Sequence, residues 1–477
     1  MGLCASSPSS SDQRAQMRRP TSPKLMSGRD SKLSSSDLKF KYVIVGFGMA
    51  GGAAAGELAR LGVGEFEVAL VGEEPSFAYQ RPVLSKSYLF PPNLPGKPPA
   101  RLPGFTLTNE SSKEVQDEDW YQTRHWTCYL NTKCVGMDFK SKTIKLISNQ
   151  TDLEERITYE HLIVATGSRP TKIKALGLDL VKHGIYHLYK EEDFSLLVRK
   201  LERVTGKRFV NRKLMTQKKG GKSNGVLQSS RKLDDVEKRS QIFQSADEDG
   251  GEDGVGASRA VVLGGGPLGV EVACALSGWG LDEILLITSS QGLFPAQTKW
   301  SCEFRERVVR EIESRCKLRV VVDDTVSRVV GLDPNQPSPL REVVLGKSGE
   351  VVSTEILVVA VGSTPNKDLF MSGSAVKMDV DGKTFKLNNA KNVWVAGELA
   401  VPNCGAERSK ELGRSAARAA FHSSHSPPSS TVPCLASSTM FDFTDNPLTW
   451  YEIAAAFWWG LLQRAPTVKC WTDCAIC

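Results

Sequence analysis

Strand and helix patterns alternate from residue 40 onward. The apolar run Lys41–Val45 is short and rich in β-branched residues, which favours a buried strand. A glycine-rich turn follows it, then the Ala-rich stretch Gly52–Leu61, which is compatible with a helix, and then a second apolar run at Glu67–Val71. The order strand, turn, helix, strand predicts one unit of a parallel α/β sheet.

The same order of elements recurs later in the chain. Arg259–Leu263 and Ile284–Ile287 are predicted strands, and Val270–Ser277 is the predicted helix between them. The fold class is therefore α/β, with two Rossmann-like three-layer domains that each bind a dinucleotide. Two dinucleotide sites on one chain also predict that hydride passes between two cofactors, one of them tightly bound.

Each unit carries a glycine-rich turn between its first strand and its helix. The glycines permit the tight turn, a close approach of the backbone to a pyrophosphate, and tight packing of helix on strand. The helix N-terminus then offers N–H groups to the phosphates. The candidate cofactor-binding residues are Gly46, Phe47, Gly48, Met49, Ala50 and Gly51 in the first turn, and Gly264, Gly266, Pro267, Leu268 and Gly269 in the second.

The second strands of the two units end differently. Glu73 and Glu74 close the first unit's strand, where a carboxylate can accept hydrogen bonds from a ribose hydroxyl. The second unit's strand ends in Thr288-Ser289-Ser290, without an acid to repel a 2′-phosphate. Ser290 is the candidate contact there, and both NADH and NADPH remain open.

The composition is that of a soluble enzyme. Hydrophobic residues make up 40% of the chain, and no apolar stretch approaches the roughly 20 residues that a membrane-spanning helix needs. The net charge is +7, but residues 1–41 hold eight Lys/Arg and three Asp/Glu, a surplus of +5. Because most of the excess lies on this tail, we expect no nucleic-acid partner. Eleven scattered cysteines favour a reducing, cytoplasmic compartment.

The first residues match a lipid-attachment signal. Met1–Ser6 fits M-G-x-x-x-[ST], the pattern for N-myristoylation at Gly2. One myristoyl chain binds a membrane only marginally, so stable attachment needs a second signal, such as palmitoylation of Cys4 or the basic residues of the tail. The tail thus predicts peripheral membrane attachment. The alternatives are a disordered Ser-rich tail that matches by chance and a weak organelle-targeting peptide.

Between the two units the apolar periodicity disappears. Residues 206–232 hold nine Lys/Arg and no acid, whereas residues 234–253 hold eight acids and two bases. Gly, Ser and Gln fill much of the remainder. This composition predicts a solvated insertion.

Three further segments resemble those of flavoprotein reductases that have two dinucleotide-binding domains. They are Leu162–Pro170, Leu357–Asn366 and Val393–Glu398, with the sequences LIVATGSRP, LVVAVGSTPN and VWVAGE. The family normally has Asp at the last position, and the longer Glu side chain must reposition. The resemblance implies an FAD domain interrupted by an NAD(P) domain, and adds as candidate cofactor contacts Thr166, Gly167, Ser168, Gly362 and Glu398.

This resemblance implies a division of the chain. The predicted parts are a disordered tail at 1–39, the first part of the FAD domain at 40–200, the charged insertion at 201–258, the NAD(P) domain at 259–366, the second part of the FAD domain at 367–421, and a C-terminal segment at 422–477 that is shorter than the family's interface domain.

The segment Tyr79–Phe90, followed by Arg101–Phe105 and Asp119–Tyr121, most resembles monodehydroascorbate reductase. The resemblance implies that hydride passes from NAD(P)H to FAD, and that single electrons then pass to the monodehydroascorbate radical, which regenerates ascorbate. The positions that contact FAD in this family correspond here to Glu74, Arg81 and Lys86.

Lys86 and Glu271 are the candidate catalytic pair. Family members have a Glu at the start of the second unit's helix, near the nicotinamide, and we predict an ion pair between the two residues beside the flavin. The alternative is that Glu271 only caps a helix and Lys86 lies on the surface. No Cys stands between Cys4 and Cys128, so a disulfide relay at the flavin is not expected, and no metal site is predicted.

The substrate side departs from the family pattern. Family members have a Glu-His pair after the third segment and a substrate-binding Arg a few residues later. Here Glu407 matches the Glu as a cofactor contact, Arg408 replaces the His, and the Arg position falls on Gly413 or Arg414. Arg408 and Arg414 are therefore the candidate contacts for a small anionic radical acceptor.

Two other functions stay open at this point. One is a ferredoxin or quinone reductase of the same fold. The other is a slow-turnover flavoprotein resembling the apoptosis-inducing factors, which the shortened C-terminal segment and Glu398 both favour.

Overall fold

A computed structural model describes residues 38–90, 102, 104–109, 112–206, 258–296, 301–316, 318–333, 335–371, 378–382 and 384–424. The predictions for the acylated tail, with Gly2 and Cys4, for most of the charged insertion and for the C-terminal segment beyond residue 424 lie outside these residues. None of the helices within the described ranges combines the length and apolar character that crossing a membrane requires.

Two strand–helix–strand units are present, as the sequence predicts, and runs of consecutive strands come after each of them. The strands are β1 (Lys39–Val45), β2 (Val68–Val71), β3 (Thr127–Tyr129), β4 (Thr132–Asp138), β5 (Thr143–Ser148), β6 (Glu154–Val164), β7 (Ser168–Pro170), β8 (Val181–His183), β9 (Ile185–His187), β10 (Arg259–Leu263), β11 (Glu283–Thr288), β12 (Leu318–Val322), β13 (Val326–Gly331), β14 (Ser338–Leu345), β15 (Val351–Ser353), β16 (Leu357–Val359), β17 (Ser363–Pro365) and β18 (Val393–Val395). The helices are α1 (Met49–Arg60), α2 (Glu118–Thr123), α3 (Glu191–Thr205), α4 (Pro267–Ser277), α5 (Cys302–Cys316), α6 (Asp368–Met371) and α7 (Gly405–Ser424), with single turns at Arg81–Val83, Leu84–Tyr88, Leu178–Leu180 and Gly397–Leu399.

The first unit is built on a seven-stranded sheet in the order β3-β2-β1-β6-β5-β4, with β18 also paired to β6. Strands β3, β2, β1, β6 and β18 run parallel, whereas β4 and β5 form an antiparallel extension. Helices α1 and α7 cover one face, where their alanines pack on the apolar strands. Because β18 follows the second unit in the chain, the first unit is completed only after the second has been inserted.

The second unit is a five-stranded parallel sheet in the order β12-β11-β10-β16-β9. Helices α3, α4 and α5 contribute buried residues on one face. The antiparallel strands β13, β14 and β15 cover the other face. Two Rossmann-like sheets, each sandwiched between layers, agree with the predicted fold class.

The second sheet begins earlier in the chain than the predicted boundary at residue 200. Strand β9 pairs with β16 at the edge of this sheet, and the buried side of α3 packs against its core. The two chain crossings between the units, β7 and β17, pair with each other as antiparallel strands. The parallel strands of both sheets end at the side where the glycine-rich turns lie, which is where α/β proteins bind ligands.

Candidate functional site

The first glycine-rich turn has no room for side chains at two of its glycines. Gly46 has a φ of 107°, and a Cβ atom there would lie 2.1 Å from the backbone oxygen of Ala165. A Cβ atom at Gly51 would lie 1.9 Å from the backbone oxygen of Gly46. Helix α1 therefore starts directly against β1, with Gly48 as its N-cap and its first turn free of acids. Such a helix start binds anions through its N–H groups.

A guanidinium group lies over this turn. The position of a Cβ atom at Gly48 is 3.8 Å from both Nε and Nη2 of Arg81. Arg81 forms an ion pair with Glu74, and Tyr79 donates a hydrogen bond of 2.6 Å to the same carboxylate. Although burial lowers the pKa of Arg81, the Glu74 charge outweighs it and raises the pKa above its ordinary value. The bare backbone and the permanent charge together suit a pyrophosphate.

The remaining predicted residues of this turn have different surroundings. The side chains of Phe47 and Met49 are buried, and the Phe47 ring makes edge contacts with the rings of Phe77 and Tyr121. Phe47 and Met49 can therefore reach a cofactor through their backbone rather than their side chains. Ala50 is buried where α7 crosses α1.

The segment Val393–Glu398 also lies against the first glycine-rich turn. Gly397, with a φ of 67°, would bring a Cβ atom within 2.9 Å of the Ala50 Cβ, and Glu398 follows it in a short helical turn. The hydroxyl group of Ser168 donates a hydrogen bond to the Glu398 carboxylate. The longer side chain of Glu398 thus has a specific partner at the start of β7.

The two chain crossings meet beside these residues. Thr166 donates from Oγ1 to the backbone oxygen of Asn366 at 3.2 Å, and Asn366 returns a hydrogen bond from Nδ2 to the backbone oxygen of Thr166 at 2.9 Å. Gly167 has a φ of 64° in the turn between them. Sequence reasoning missed Asn366 as a site residue, although it ends the second resemblance segment.

The predicted Lys86–Glu271 ion pair is present. The Nζ atom of Lys86 lies 3.0 Å from Oε1 of Glu271, with side-chain exposures of 33% and 22%. The buried residue Ser85, which the sequence did not single out, donates a hydrogen bond of 2.5 Å to Oε2 of Glu271. The pair joins the Leu84–Tyr88 turn of the first unit to α4 of the second. Its role in catalysis stays a prediction.

The second glycine-rich turn repeats the backbone design of the first. A Cβ atom at Gly264 would lie 2.2 Å from the backbone oxygen of Ala360, and one at Gly269 would lie 1.9 Å from that of Gly264. Gly266 is the N-cap of α4 and Pro267 its first residue. Among the described atoms, none lies within 4 Å of a Cβ position at Gly266 or Gly362. Leu268 packs on the helical face of the sheet.

The end of β11 is held by hydroxyl groups and neighbouring backbone. Ser290 Oγ is 2.8 Å from Thr288 Oγ1 and donates to the backbone oxygen of Gly292 at 2.7 Å. The backbone N–H groups of Asp323 and Asp324 donate to the backbone oxygens of Ser290 and Thr288. The side chains that would contact a ribose at this point are therefore hydroxyl groups.

The two acids next to β11 already have partners. Asp323 pairs with Lys347. Asp324 accepts hydrogen bonds from the backbone N–H groups of Thr325, Lys347 and Ser348. Burial raises the pKa of Asp324, but these hydrogen bonds outweigh it and lower the pKa to about 2.

The candidate substrate residues both lie on α7, Arg408 in its first turn and Arg414 near its middle. Glu407 forms an ion pair of 2.7 Å with Lys410, and Arg408 follows Glu407 in the first turn. Arg414 donates from Nε to Glu411 at 2.9 Å. A Cβ atom at Gly413 would lie 2.0 Å from the backbone oxygen of Ala50. Position 413 therefore has no space for a side chain, and the roles of Arg408 and Arg414 stay predictions.

The described thiols are poorly suited to redox relay at the first turn. Burial raises the pKa of Cys134 to about 12 and that of Cys128 further. Cys404 lies 3.2 Å from Ser409 Oγ, and burial raises its pKa as well. Because their pKa values are raised, these three thiols stay protonated near neutral pH. They are therefore poor nucleophiles, since thiols act as nucleophiles only as thiolates.

Comparisons with known proteins agree with this geometry. The model of the family described as pyridine nucleotide-disulphide oxidoreductase matches residues 40–422. The chain is 28% identical to a monodehydroascorbate reductase of Solanum lycopersicum over 370 residues, which cover 77% of this chain and 69% of the relative. It is 27% identical to the seedling isozyme of monodehydroascorbate reductase of Cucumis sativus over 369 residues, with shares of 77% and 69%.

Solved structures share the fold at lower identity. A NAD-dependent persulfide reductase from A. fulgidus superimposes with a TM-score of 0.55 and 18% identity, covering 79% of this chain and 58% of that one. The covalent putidaredoxin reductase–putidaredoxin complex gives a TM-score of 0.54 and 18% identity, covering 83% and 78%. At these identities the likeness concerns the fold alone.

Proposed function

The chain belongs to the pyridine nucleotide-disulphide oxidoreductase family and is an NAD(P)H-dependent flavoprotein oxidoreductase, and from this premise we propose that its electron acceptor is the monodehydroascorbate radical. The proposal rests on the similarity to monodehydroascorbate reductases from tomato and cucumber. The protein would then regenerate ascorbate at the expense of NADH or NADPH.

The residues at the first turn fit FAD. The sterically closed backbone at Gly46 and Gly51, with Arg81 over Gly48, suits the pyrophosphate, and the Ser168–Glu398 pair supplies hydroxyl and carboxylate groups to the rest of the cofactor. When bound, FAD supplies the conversion of a two-electron hydride donor into single electrons.

The residues at the second turn fit a nicotinamide dinucleotide. The N-terminus of α4 would hold the pyrophosphate, and the open space at Gly266 and Gly362 would admit the nucleotide against the backbone. Ser290 meets the ribose with a hydroxyl group. This arrangement neither attracts nor repels a 2′-phosphate strongly, so both nucleotides are proposed as donors.

One observation carries the proposal for the reaction. The Lys86–Glu271 pair bridges the two units at the site where the two cofactors would meet. We propose that the pair orients the reacting rings and excludes water. The ion pair and the hydrogen bond from Ser85 together fix the side chains of Lys86, Glu271 and Ser85. No acid–base step is assigned to it.

A thiol acceptor is disfavoured by the same site. Burial raises the pKa of Cys128, Cys134 and Cys404, the described cysteines of the first unit, so these thiols stay protonated near neutral pH. An acceptor that takes single electrons without forming a covalent bond to the protein fits this arrangement.

The test is anaerobic reduction followed by reoxidation. Purified yellow protein is titrated with NADH and with NADPH, then mixed rapidly with monodehydroascorbate generated enzymatically. Fast bleaching of the flavin and fast reoxidation by the radical are expected. Fast bleaching without reoxidation by the radical would keep the oxidoreductase and reject this acceptor, in favour of a quinone or a ferredoxin. Slow bleaching that leaves a stable charge-transfer complex would reject enzymatic turnover.

A further inference from the structure

Tyr189 connects two segments of the FAD site that are far apart in sequence. Its backbone oxygen accepts a hydrogen bond of 2.9 Å from Nη1 of Arg81. Its ring lies under the same guanidinium, with Cζ of Arg81 4.5 Å from the ring centroid. At the far end of the ring, the hydroxyl group accepts the N–H of Ser168 at 3.4 Å. No sequence pattern singles out Tyr189 as a site residue.

The side chain is itself fixed in place. Tyr189 lies between β9 and α3, and its backbone N–H donates to Oδ2 of Asp193 in the first turn of α3 at 2.9 Å. The hydroxyl oxygen is 3.0 Å from the Cβ position of Gly167, so the ring reaches the ATGS turn closely. Tyr189 lies in the connection that enters the second unit, and it contacts two residues of the first unit. One is Arg81, which lies over the first glycine-rich turn, and the other is Ser168, which donates to Glu398.

Three groups determine the position of the Arg81 guanidinium. Glu74 holds it by charge, and Tyr189 holds it by its carbonyl oxygen and by its ring. A guanidinium over an aromatic face gains electrostatic attraction and is restricted to one plane. The second ring nearby, that of Tyr79, is more distant, at 5.3 Å. Without the Tyr189 ring, the guanidinium has more freedom to leave Gly48.

We propose that Tyr189 is a positioning residue for FAD, acting through Arg81 and Ser168. The inference deepens the proposed function and rests on the binding of FAD at this site. Tyr189 orients the cation toward the pyrophosphate and the Ser168 backbone toward the flavin side, and it ties FAD affinity to the connection that enters the second unit.

The experiment uses Tyr189→Leu, which removes the ring, and Tyr189→Phe, which removes only the hydroxyl group. FAD is titrated into deflavinated full-length protein and its Kd is read from quenching of flavin fluorescence. We expect Tyr189→Leu to raise the Kd roughly 5- to 30-fold, and Tyr189→Phe to raise it only about 2- to 3-fold. An unchanged Kd in Tyr189→Leu overturns the proposal.

The matched control is Tyr159→Phe. The Tyr159 hydroxyl group is buried near the opposite end of the first sheet and has no hydrogen-bond partner among the described residues, so its removal leaves the FAD affinity unchanged. Thermal unfolding is measured with and without FAD for each variant. A positioning role reduces the increase in Tm that FAD produces, whereas a merely structural role lowers both midpoints equally, and that result contradicts the inference.

A double-mutant cycle tests whether the ring acts through Arg81. Arg81→Lys keeps the charge but removes the planar group, so the effect of Tyr189→Leu on FAD affinity is expected to shrink in that background. The smaller effect of Tyr189→Phe, which removes the contact with Ser168, is expected to stay the same. Additive effects of Tyr189→Leu and Arg81→Lys overturn the coupling. If the unmodified chain fails to bind FAD, the proposed function itself fails. If it binds FAD and the Tyr189 variants bind equally well, only this inference fails.

Discussion

The two glycine-rich turns share a backbone but differ in what surrounds them. In both, a glycine with positive φ lies against the residue that follows the neighbouring parallel strand, Ala165 after β6 or Ala360 after β16. A Cβ atom on a second glycine would lie 1.9 Å from the backbone oxygen of the first. The first turn is then enclosed by Arg81 and by Glu398 beside Ser168. The second is open at Gly266 and ends in hydroxyl groups. The difference indicates a retained cofactor in the first unit and an exchangeable one in the second.

The strongest way to break this comparison is to add one methyl group to each turn. Gly51→Ala places its Cβ against the backbone oxygen of Gly46, which cannot move away cheaply. We expect it to destabilise the protein by about 3 kcal/mol or more and to abolish FAD retention. The measurements are the free energy of unfolding and the flavin content after purification.

Gly266→Ala is the contrasting variant in the second turn, at the N-cap glycine that corresponds to Gly48 rather than to Gly51. Its φ is ordinary and its Cβ meets open space among the described atoms. We expect stability within about 1 kcal/mol of the parent, retained FAD, and weaker NAD(P)H binding, because the methyl group occupies the approach to the pyrophosphate. Equal losses of stability in both variants would contradict the comparison.

The next effect concerns the residues that join the two sites. Lys86→Met removes the ion pair between the units and leaves Glu271 with the hydrogen bond from Ser85. Because the pair is part-exposed, we expect a modest loss of stability, but a fall of about 10- to 100-fold in the rate of flavin reduction by NAD(P)H. Stopped-flow bleaching measures this rate.

Lys200→Met serves as the control for a lost ion pair. Lys200 pairs with Glu355, remote from both turns, so flavin reduction should keep its rate. A normal rate in Lys86→Met would leave that pair with a structural role only.

The loss of stability at acid pH should depend on Asp324 of the second unit. The pKa of Asp324 is lowered to about 2, against an ordinary value of 3.8. A lowered pKa stabilises the fold above the ordinary value, and this contribution is lost as the pH falls from about 4 to about 2. We expect Asp324→Asn to lower stability by about 2 kcal/mol at neutral pH and to flatten the dependence below pH 4. Urea unfolding across this pH range measures it; parallel curves would refute the assignment.

The smallest effect concerns the nucleotide. Ser290→Asp introduces at the end of β11 a carboxylate that accepts hydrogen bonds from a ribose 2′-hydroxyl and repels a 2′-phosphate. We expect the ratio of the NADPH Kd to the NADH Kd to rise about tenfold, with the FAD affinity unchanged. Nucleotide titration monitored by flavin absorbance tests this; an unchanged ratio would mean that the ribose lies elsewhere.

Local sequence patterns predicted the helices and strands better than they predicted which strands pair with each other. The two strand–turn–helix–strand units were confirmed because each is encoded by contiguous apolar runs and glycines. Strand β9 was not anticipated at the edge of the second sheet, since a three-residue strand has too short a pattern to assign. Its place is set by pairing with β16, which comes much later in the chain.

The site shows the same division. The Lys86–Glu271 pair was anticipated only through the family resemblance, because its residues are 185 positions apart. Tyr189 carried no signal of its own. Ser85 and Asn366 lie within segments that resemble the family, but the sequence does not show their contacts, because Glu271 and Thr166 are far from them in the chain. The steric closure at Gly413 likewise depends on how α7 crosses α1, which no local pattern encodes.

The pairing of β7 with β17 has a mechanical consequence. A single connecting strand leaves two bodies free to twist about it, whereas a two-stranded ribbon resists torsion and yields mainly by bending. We therefore expect relative movement of the two units to consist mainly of opening and closing about one axis. A single pair of spectroscopic labels, one on each unit, would be enough to follow that coordinate.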